Sequence, residues 1–289
     1  MKSIVVTGAS TGIGWGVVEI LIEKGFRVFG SVRKEADAER LRKEFGANFV
    51  PLLFDVTDAQ AVAKAAGQVG AALAGETLFG LVNNAGIAVP GPLLYLKVEE
   101  FRRQLEVNVT GQLIVTQAFA PLLMAKGPGL PGEALGAKPG RIVMITSVGG
   151  RNATPFVGPY CASKFALEGM SESLRREFML FGIDVIVVAP GPVATPIWDK
   201  ADAVDASAYA GTPYVGALTA IKKLMLDAGR KGLPPEALGR VVHEALTAAR
   251  PRARYTATPE PLQNLLVRAL PARLVDKMYA KRLGLMKKD

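Results

Sequence analysis

Short apolar runs recur along this chain, and between them the apolar positions fall at helical spacing. Residues 3–7, 26–32, 49–54, 78–82, 141–146 and 184–189 are rich in Val, Ile, Leu and Phe and do not alternate with polar residues. Continuous apolar runs of that length predict strands covered on both faces. A helical pattern runs to Lys24, a polar-faced one covers 36–45, and Asp58 is placed to cap a helix reaching about Leu73. A further helix at 235–249 leads into a seventh strand candidate at 253–257. Alternating strands and helices of this kind predict an α/β fold, a doubly wound parallel sheet of about seven strands with helices on both faces.

Composition narrows the chemistry. At 289 residues, with 49% hydrophobic and 21% charged residues, the chain suits a soluble globular protein with a substantial core. One histidine, His243, cannot build a histidine-based metal site or a Ser-His-Asp triad, so no metal is expected. One cysteine, Cys161, cannot form an intramolecular disulfide and reads as a small core residue, consistent with an expected cytoplasmic location. The apolar start meets Gly8 too soon for a secretory signal. Residues 107–125 carry no charge, but Asn108, Thr110, Gln112, Thr116, Gln117 and Pro121 mark a buried helix, not a membrane span. A glycine- and proline-rich stretch at 127–140 reads as a surface loop.

The first strand runs into Thr7-Gly8-Ala9-Ser10-Thr11-Gly12-Ile13-Gly14 and then a helix. Three glycines let the backbone turn sharply against a pyrophosphate, and the helix offers its unpaired N–H groups to the phosphates. A plain strand-to-helix turn is the other reading of the glycines alone, and the flanking strand and helix favour the Rossmann-type nucleotide site. Asp55-Val56 ends the third strand and Asn83-Asn84-Ala85-Gly86 the fourth, both at carboxyl ends where such sheets bind ligands. Asp55 could accept from an adenine amino group, or cap a helix, although Asp58 is better placed to cap; Asn83 and Asn84 could simply hold their turn. The second strand ends Ser31-Val32-Arg33 with no acid to hold ribose hydroxyls. Arg33 therefore favours a 2′-phosphate, and NADP(H) over NAD(H), unless it faces solvent.

The fifth strand ends at Ser147, and Tyr160 and Lys164 follow at i and i+4, on one face of a helix. A free tyrosine, with a pKa of about 10, is too weak an acid for proton transfer at neutral pH. An adjacent ammonium stabilises the phenolate and makes Tyr160 a credible acid/base, with Ser147 holding a substrate oxygen beside it. Tyr and Lys at this spacing are more often an exposed helix pair; the combination with Ser147 and the glycine loop gives them their meaning.

With those residues in view, the chain resembles the short-chain dehydrogenases/reductases over roughly residues 1–200. The resemblance rests on TGASTGIG at 7–14, DV at 55–56, NNAG at 83–86, Asn108, Ser147, YCASK at 160–164 and PGPVAT at 190–195. It implies an NAD(P)-dependent oxidoreductase interconverting a carbonyl and an alcohol, with Asn108, Ser147, Tyr160 and Lys164 as a catalytic tetrad. In it Lys164 also holds the nicotinamide ribose, and Asn108 helps to hold a water that relays protons to Lys164. It further implies a dinucleotide held by Gly8, Ser10, Thr11, Gly12, Ile13, Gly14, Arg33, Asp55, Val56, Asn84, Ala85 and Gly86. Around the nicotinamide it places Tyr160, Lys164, Pro190, Gly191, Val193 and Thr195. Residues 1–289 are expected to form one catalytic domain, 1–195 its cofactor-binding and catalytic core and 196–289 a substrate-binding segment with basic C-terminal helices. Homodimers or homotetramers built on the Tyr160 helix are the family's expectation.

Trp198, Tyr209, Tyr214, Leu218, Ile221, Leu224 and Met225 are available to line a pocket for a lipophilic substrate, though most are expected to pack their helix on the sheet. From Arg250 onward ten Lys or Arg face only Glu260, Asp276 and Asp289, so most of the net charge of +9 lies in the tail. No aromatic-interleaved basic motif accompanies it, and nucleic acid is not an expected partner. Leu274, Val275, Met278, Tyr279 and Leu283 recur at helical spacing among basic residues, and packing on protein is favoured over an anionic membrane surface. A catalytically silent nucleotide-binding regulator is the rival class, and the intact tetrad argues against it. An epimerase or dehydratase would need a larger C-terminal region.

Overall fold

The computed structural model describes residues 1–124, 138–202 and 209–286, so all but the end of the expected 127–140 loop lies outside the described residues. Seven strands form one sheet: β1 (Ser3–Val6), β2 (Arg27–Val32), β3 (Phe49–Leu53), β4 (Gly80–Asn83), β5 (Arg141–Ile145), β6 (Asp184–Pro190) and β7 (Arg254–Ala257). Their order is β3-β2-β1-β4-β5-β6-β7 and every neighbouring pair is parallel. All carboxyl ends therefore share one edge, and the strand order reverses direction between β1 and β4, where such sheets open a ligand crevice. The predicted strands are all present. β4 starts later than expected because the Leu78 N–H goes to the Leu122 carbonyl, 2.8 Å away.

The helices alternate with the strands: α1 (Gly12–Glu23), α2 (Glu35–Phe45), α3 (Ala59–Ala72), α4 (Val98–Leu105), α5 (Gly111–Leu123), α6 (Gly158–Glu177), α7 (Ile197–Asp202), α8 (Val215–Arg230), α9 (Pro235–Thr247), α10 (Pro261–Ala269) and α11 (Ala272–Leu283). Successive strand residues point to opposite faces, so each strand feeds two cores. Ile4 and Val6 pack with Val17, Leu21, Leu238 and Val242 of α1 and α9. Val5 and Leu81 pack with Val62, Val115, Phe119 and Leu167 of α3, α5 and α6 on the other face. The described part of the uncharged stretch is thus a π-helical turn followed by α5, packed in the interior, and among the described residues no helix is long and apolar enough to cross a membrane. Asp58 caps α3 as expected, its carboxylate accepting from the N–H groups of Gln60 and Ala61.

α1 and α9 cross at backbone contact. A methyl group on Gly239 would lie 2.4 Å from the Gly16 carbonyl oxygen, and one on Gly16 would lie 2.5 Å from the backbone of Pro235. This crossing sets how closely α1 and α9 approach each other. Gly239→Ala should cost roughly 1–3 kcal/mol by overpacking, read as a lower urea midpoint at unchanged m-value. An unaltered midpoint would show that the crossing has room to spare.

Candidate active site at the carboxyl edge of the sheet

Thr7 joins the two central strands. Its hydroxyl accepts from the N–H groups of Asn84 (2.9 Å) and Ala85 (3.0 Å) and donates to the Val82 carbonyl (3.4 Å). The Asn84 side-chain amide returns the tie by donating to the carbonyls of Thr7 (2.8 Å) and Gly8 (3.2 Å). Asn83 is fully buried and donates to the Thr116 hydroxyl at 2.8 Å. Both asparagines thus hold the turn, and Asn84 acts on any ligand through the loop it fixes. Ala85 accepts at its carbonyl from the side-chain amide of Gln112, and Gly86 lies over Asn108.

The glycine loop has the shape a pyrophosphate needs. Gly8 sits at φ +67°, where a side chain is strained, and a methyl on Gly14 would meet the Gly8 carbonyl oxygen at 2.0 Å. The N–H of Gly8 donates to the Ser31 hydroxyl and that of Ala9 to the Ser31 carbonyl, which locks the loop onto β2. Thr11, at the α1 N-cap, makes no side-chain cap, and no acid occupies the first turn, so the helix start is open to an anion. Ser10 and Ile13 lie partly exposed on the same loop, and Arg40 of α2 donates to the Ser10 carbonyl at 2.6 Å. Gly12 faces Thr195 across the crevice; a methyl there would lie 3.2 Å from the threonine side chain. These features fit a dinucleotide, and the residues that would hold it lie on one continuous edge.

The β2 and β3 ends open into a cleft of about 700 Å³ walled by Arg33, Asp55 and Thr57 on one side and by Arg102, Arg103, Val107 and Thr110 on the other. Arg33 lies 3.7 Å from the Asp55 carboxylate, while the other Asp55 oxygen accepts from the Thr57 N–H and hydroxyl. Burial alone would push the Asp55 carboxyl up, but the Thr57 hydrogen bonds and the Arg33 charge together hold it below the usual range. Val56 is buried and closes over Gly111, the first residue of α5. Arg102 and Arg103 escape sequence reading because nothing in their local spacing ties them to Arg33; helix packing brings them to the cleft.

At the other end, β5 delivers Ser147, whose hydroxyl accepts from the Gly149 N–H at 3.0 Å and reaches the Tyr160 phenol. α6 turns Tyr160 and Lys164 to the same side, with the Lys164 nitrogen 5.7 Å from the Tyr160 ring centre. That nitrogen donates to the Ile145 carbonyl at 2.8 Å. Burial pushes the Tyr160 phenol up against the opposing Ser147 hydrogen bond, and brings Lys164 down to about 8 against the charge of Glu168. Asn108 sits in a π-helical turn, Glu106–Thr110, between α4 and α5. Its carbonyl accepts from the Ile87 N–H at 2.8 Å, and its amide donates to the Ile87 carbonyl and the Ser163 hydroxyl, each at 3.0 Å. Any relay role for Asn108 therefore runs through the backbone of that turn. Pro190 ends β6, Gly191 donates to the Ala257 carbonyl at 2.8 Å, and Val193 pairs with Leu233. Cys161 is buried and accepts from the Thr154 N–H, as a core residue should.

Glu168, one turn beyond Lys164, was not singled out from the sequence, although its i+4 spacing is the same signal that joined Tyr160 to Lys164. It is buried, accepts from the Thr146 hydroxyl at 2.6 Å, and pairs with Arg151 and Arg254, each at 3.1 Å. One carboxylate thereby fastens β5, α6, β7 and the loop after Ser147. Glu168→Ala leaves two cations facing a void and should lower stability by roughly 3–5 kcal/mol, measured by denaturant unfolding. A loss below the error of the fit would contradict that role.

The expected pocket lining divides. Trp198 lies against Gly229 and donates to the Val193 carbonyl at 2.6 Å. Ile221, Leu224 and Met225 join Leu283, Tyr279 and Phe156, so they pack α8 on α11 and not on the sheet. The Tyr209 hydroxyl sits over Gly91, and Tyr214 meets Tyr95 and Phe156 edge-on. These aromatic residues, with half-buried Leu218, are left beside the loops of the catalytic end.

Comparison with known proteins agrees with this geometry. The family model described as short chain dehydrogenase matches residues 2–205. The chain is 38% identical over 285 residues to the NADPH-dependent 3-dehydrocapnine reductase of Ornithobacterium rhinotracheale, covering 98% of both proteins. It is 36% identical over 289 residues to human retinol dehydrogenase 5, covering 94% of this chain and 85% of that protein. The crystal structure of a short chain dehydrogenase from Burkholderia cenocepacia in complex with NADP superposes with a TM-score of 0.69 at 25% identity, covering 98% of this chain and 100% of that one.

Proposed function

Because the chain belongs to the short-chain dehydrogenase family and is an oxidoreductase of that family, we propose that it interconverts a lipophilic ketone or aldehyde and its alcohol with NADP(H). The observation that carries this reading is the convergence of Ser147, Tyr160 and Lys164 at the carboxyl edge of the sheet, the same edge on which Arg33 follows β2 and lines a cleft. Bound there, the dinucleotide supplies hydride for reduction or accepts it for oxidation. Gly8 through Gly14 and the α1 N-terminus hold its phosphates, and Pro190, Gly191, Val193 and Thr195 border the nicotinamide.

The protein's own work is to hold the substrate oxygen and move one proton. Ser147 hydrogen-bonds that oxygen. Tyr160 donates its phenol proton in reduction and recovers one in oxidation. The Lys164 ammonium stabilises the phenolate, which offsets the upward push of burial. The aromatic residues Tyr95, Phe156 and Tyr214 beside this end favour an apolar substrate body, and the names of the retinol dehydrogenase relatives point the same way. At the adenosine end Arg33, Arg102 and Arg103 outnumber the acids Asp55 and Glu106 of the same cleft, a balance suited to a 2′-phosphate. The relative named as NADPH-dependent supports that preference.

Tyr160→Phe should abolish turnover across a panel of apolar carbonyls followed by nicotinamide absorbance, while NADPH still binds; turnover within tenfold of the parent chain would refute the assignment. For reduction, Lys164 is charged below about 8 and neutral above it, so kcat/KM should fall along a limb centred near that pH. A profile flat across that pH contradicts the role given to the ammonium. Arg33→Ala should weaken NADPH binding roughly 10- to 100-fold, the value of a charge-assisted contact, and leave NADH nearly unchanged. Equal losses for both nucleotides would mean that Arg33 holds something other than the 2′-phosphate.

A further inference from the structure

The C-terminal helices divide the apolar residues of the tail between two surfaces. On α11, Tyr279 and Leu283 pack onto α8, with the Tyr279 hydroxyl 3.4 Å from that of Thr154, and Val275 is half-buried. Leu274 and Met278 do not join them: they are 45% and 49% exposed. α10 is more extreme. Leu262, Leu265 and Leu266 recur at i, i+3 and i+4, form one stripe, and are 75%, 62% and 64% exposed. A helix that turns its leucine stripe to water, with only Val267 of its other apolar residues half-buried, needs an explanation beyond packing within the chain.

The charge around the α11 stripe says what covers it. Projected at helical spacing, Arg273, Lys277 and Lys281 border the Leu274–Met278 stripe on one side and Arg282 on the other, all four exposed, while Asp276 falls on the opposite side. An apolar strip edged by cations on both sides matches the headgroup region of an anionic bilayer, where leucines enter the acyl boundary and basic residues meet phosphates. A second copy of the chain fits poorly, because a symmetric pairing through this face would set the same four cations against themselves. α10 is too short to span a bilayer, so the contact is one of lying on the surface. The same α11 reaches the catalytic end through Tyr279, Thr154 and Phe156.

We propose that the exposed leucine face of α10 and α11, with its border of basic residues, is a docking surface for an anionic phospholipid bilayer. The docking stands independently of turnover and needs no bound nucleotide, so its test can fail while the catalytic reading holds, and the reverse. The full chain is sedimented with vesicles of phosphatidylcholine mixed with phosphatidylserine, and with vesicles of phosphatidylcholine alone. Binding is expected to the mixed vesicles and to weaken as added salt shortens the screening length. Lys277→Gln and Lys281→Gln should each weaken binding about fivefold, and Leu265→Ser and Leu266→Ser about tenfold each. These residues are exposed, and unchanged thermal melts establish that the variants fold. Equal binding to both vesicle types, no binding to either, or leucine variants that bind as the parent does would overturn the proposal. So would light scattering that shows a dimer dissolved by Leu266→Ser without any loss of vesicle binding.

Discussion

The Thr7 hydroxyl fixes the relation between β1 and β4, the two strands on either side of the point where the sheet reverses its winding. It takes two backbone N–H groups from the loop after β4 while Asn84 reaches back to the carbonyls of the loop after β1. Four hydrogen bonds thus close a ring between two loops that would otherwise move separately. Each joins groups that are partly buried, where an unmade bond costs about 1–3 kcal/mol. The glycine loop is packed just as tightly, and a Cβ on Gly14 would strike the Gly8 carbonyl and the Asn84 amide.

A second anchor holds the chemical end. The charge on Glu168 compensates Arg151 and Arg254 and at the same time opposes the effect of burial on Lys164. Lys164 is therefore held in a dry site by the Ile145 carbonyl with its proton only loosely kept, which suits the part proposed for it beside Tyr160. The two anchors lie on neighbouring strands of a sheet whose interior is continuously packed. Between them β4 and β5 are paired residue by residue from Gly80 to Asn83.

The sheet was legible in the sequence because each buried strand announces itself by an unbroken apolar run, and each helix by its own spacing. The glycine loop, Ser147, Tyr160 and Lys164 were legible for a related reason: their geometry is set by neighbours in sequence. What was not legible depends on packing at a distance. Arg102 and Arg103 come to face Arg33 only through the docking of α4. Trp198 reads as pocket lining until Gly229 is seen to receive it. The tail stripe reads as one amphipathic face, whereas the fold uses Tyr279 and Leu283 against α8 and leaves Leu274 and Met278 outside. Asn108 gave no local signal beyond a buried polar contact, because its role depends on a π-helical turn that spacing rules do not predict.

The central claim is that one crevice, from Arg33 to Tyr160, receives a single phosphorylated dinucleotide along the carboxyl edge of the sheet. A crystal structure of the full chain grown with NADPH tests this most directly. The account predicts the 2′-phosphate against Arg33, the pyrophosphate on the loop from Gly8 to Gly14, and the nicotinamide between Thr195 and Tyr160. NADPH found elsewhere, or bound in the reverse direction with its nicotinamide at Arg33, would contradict it.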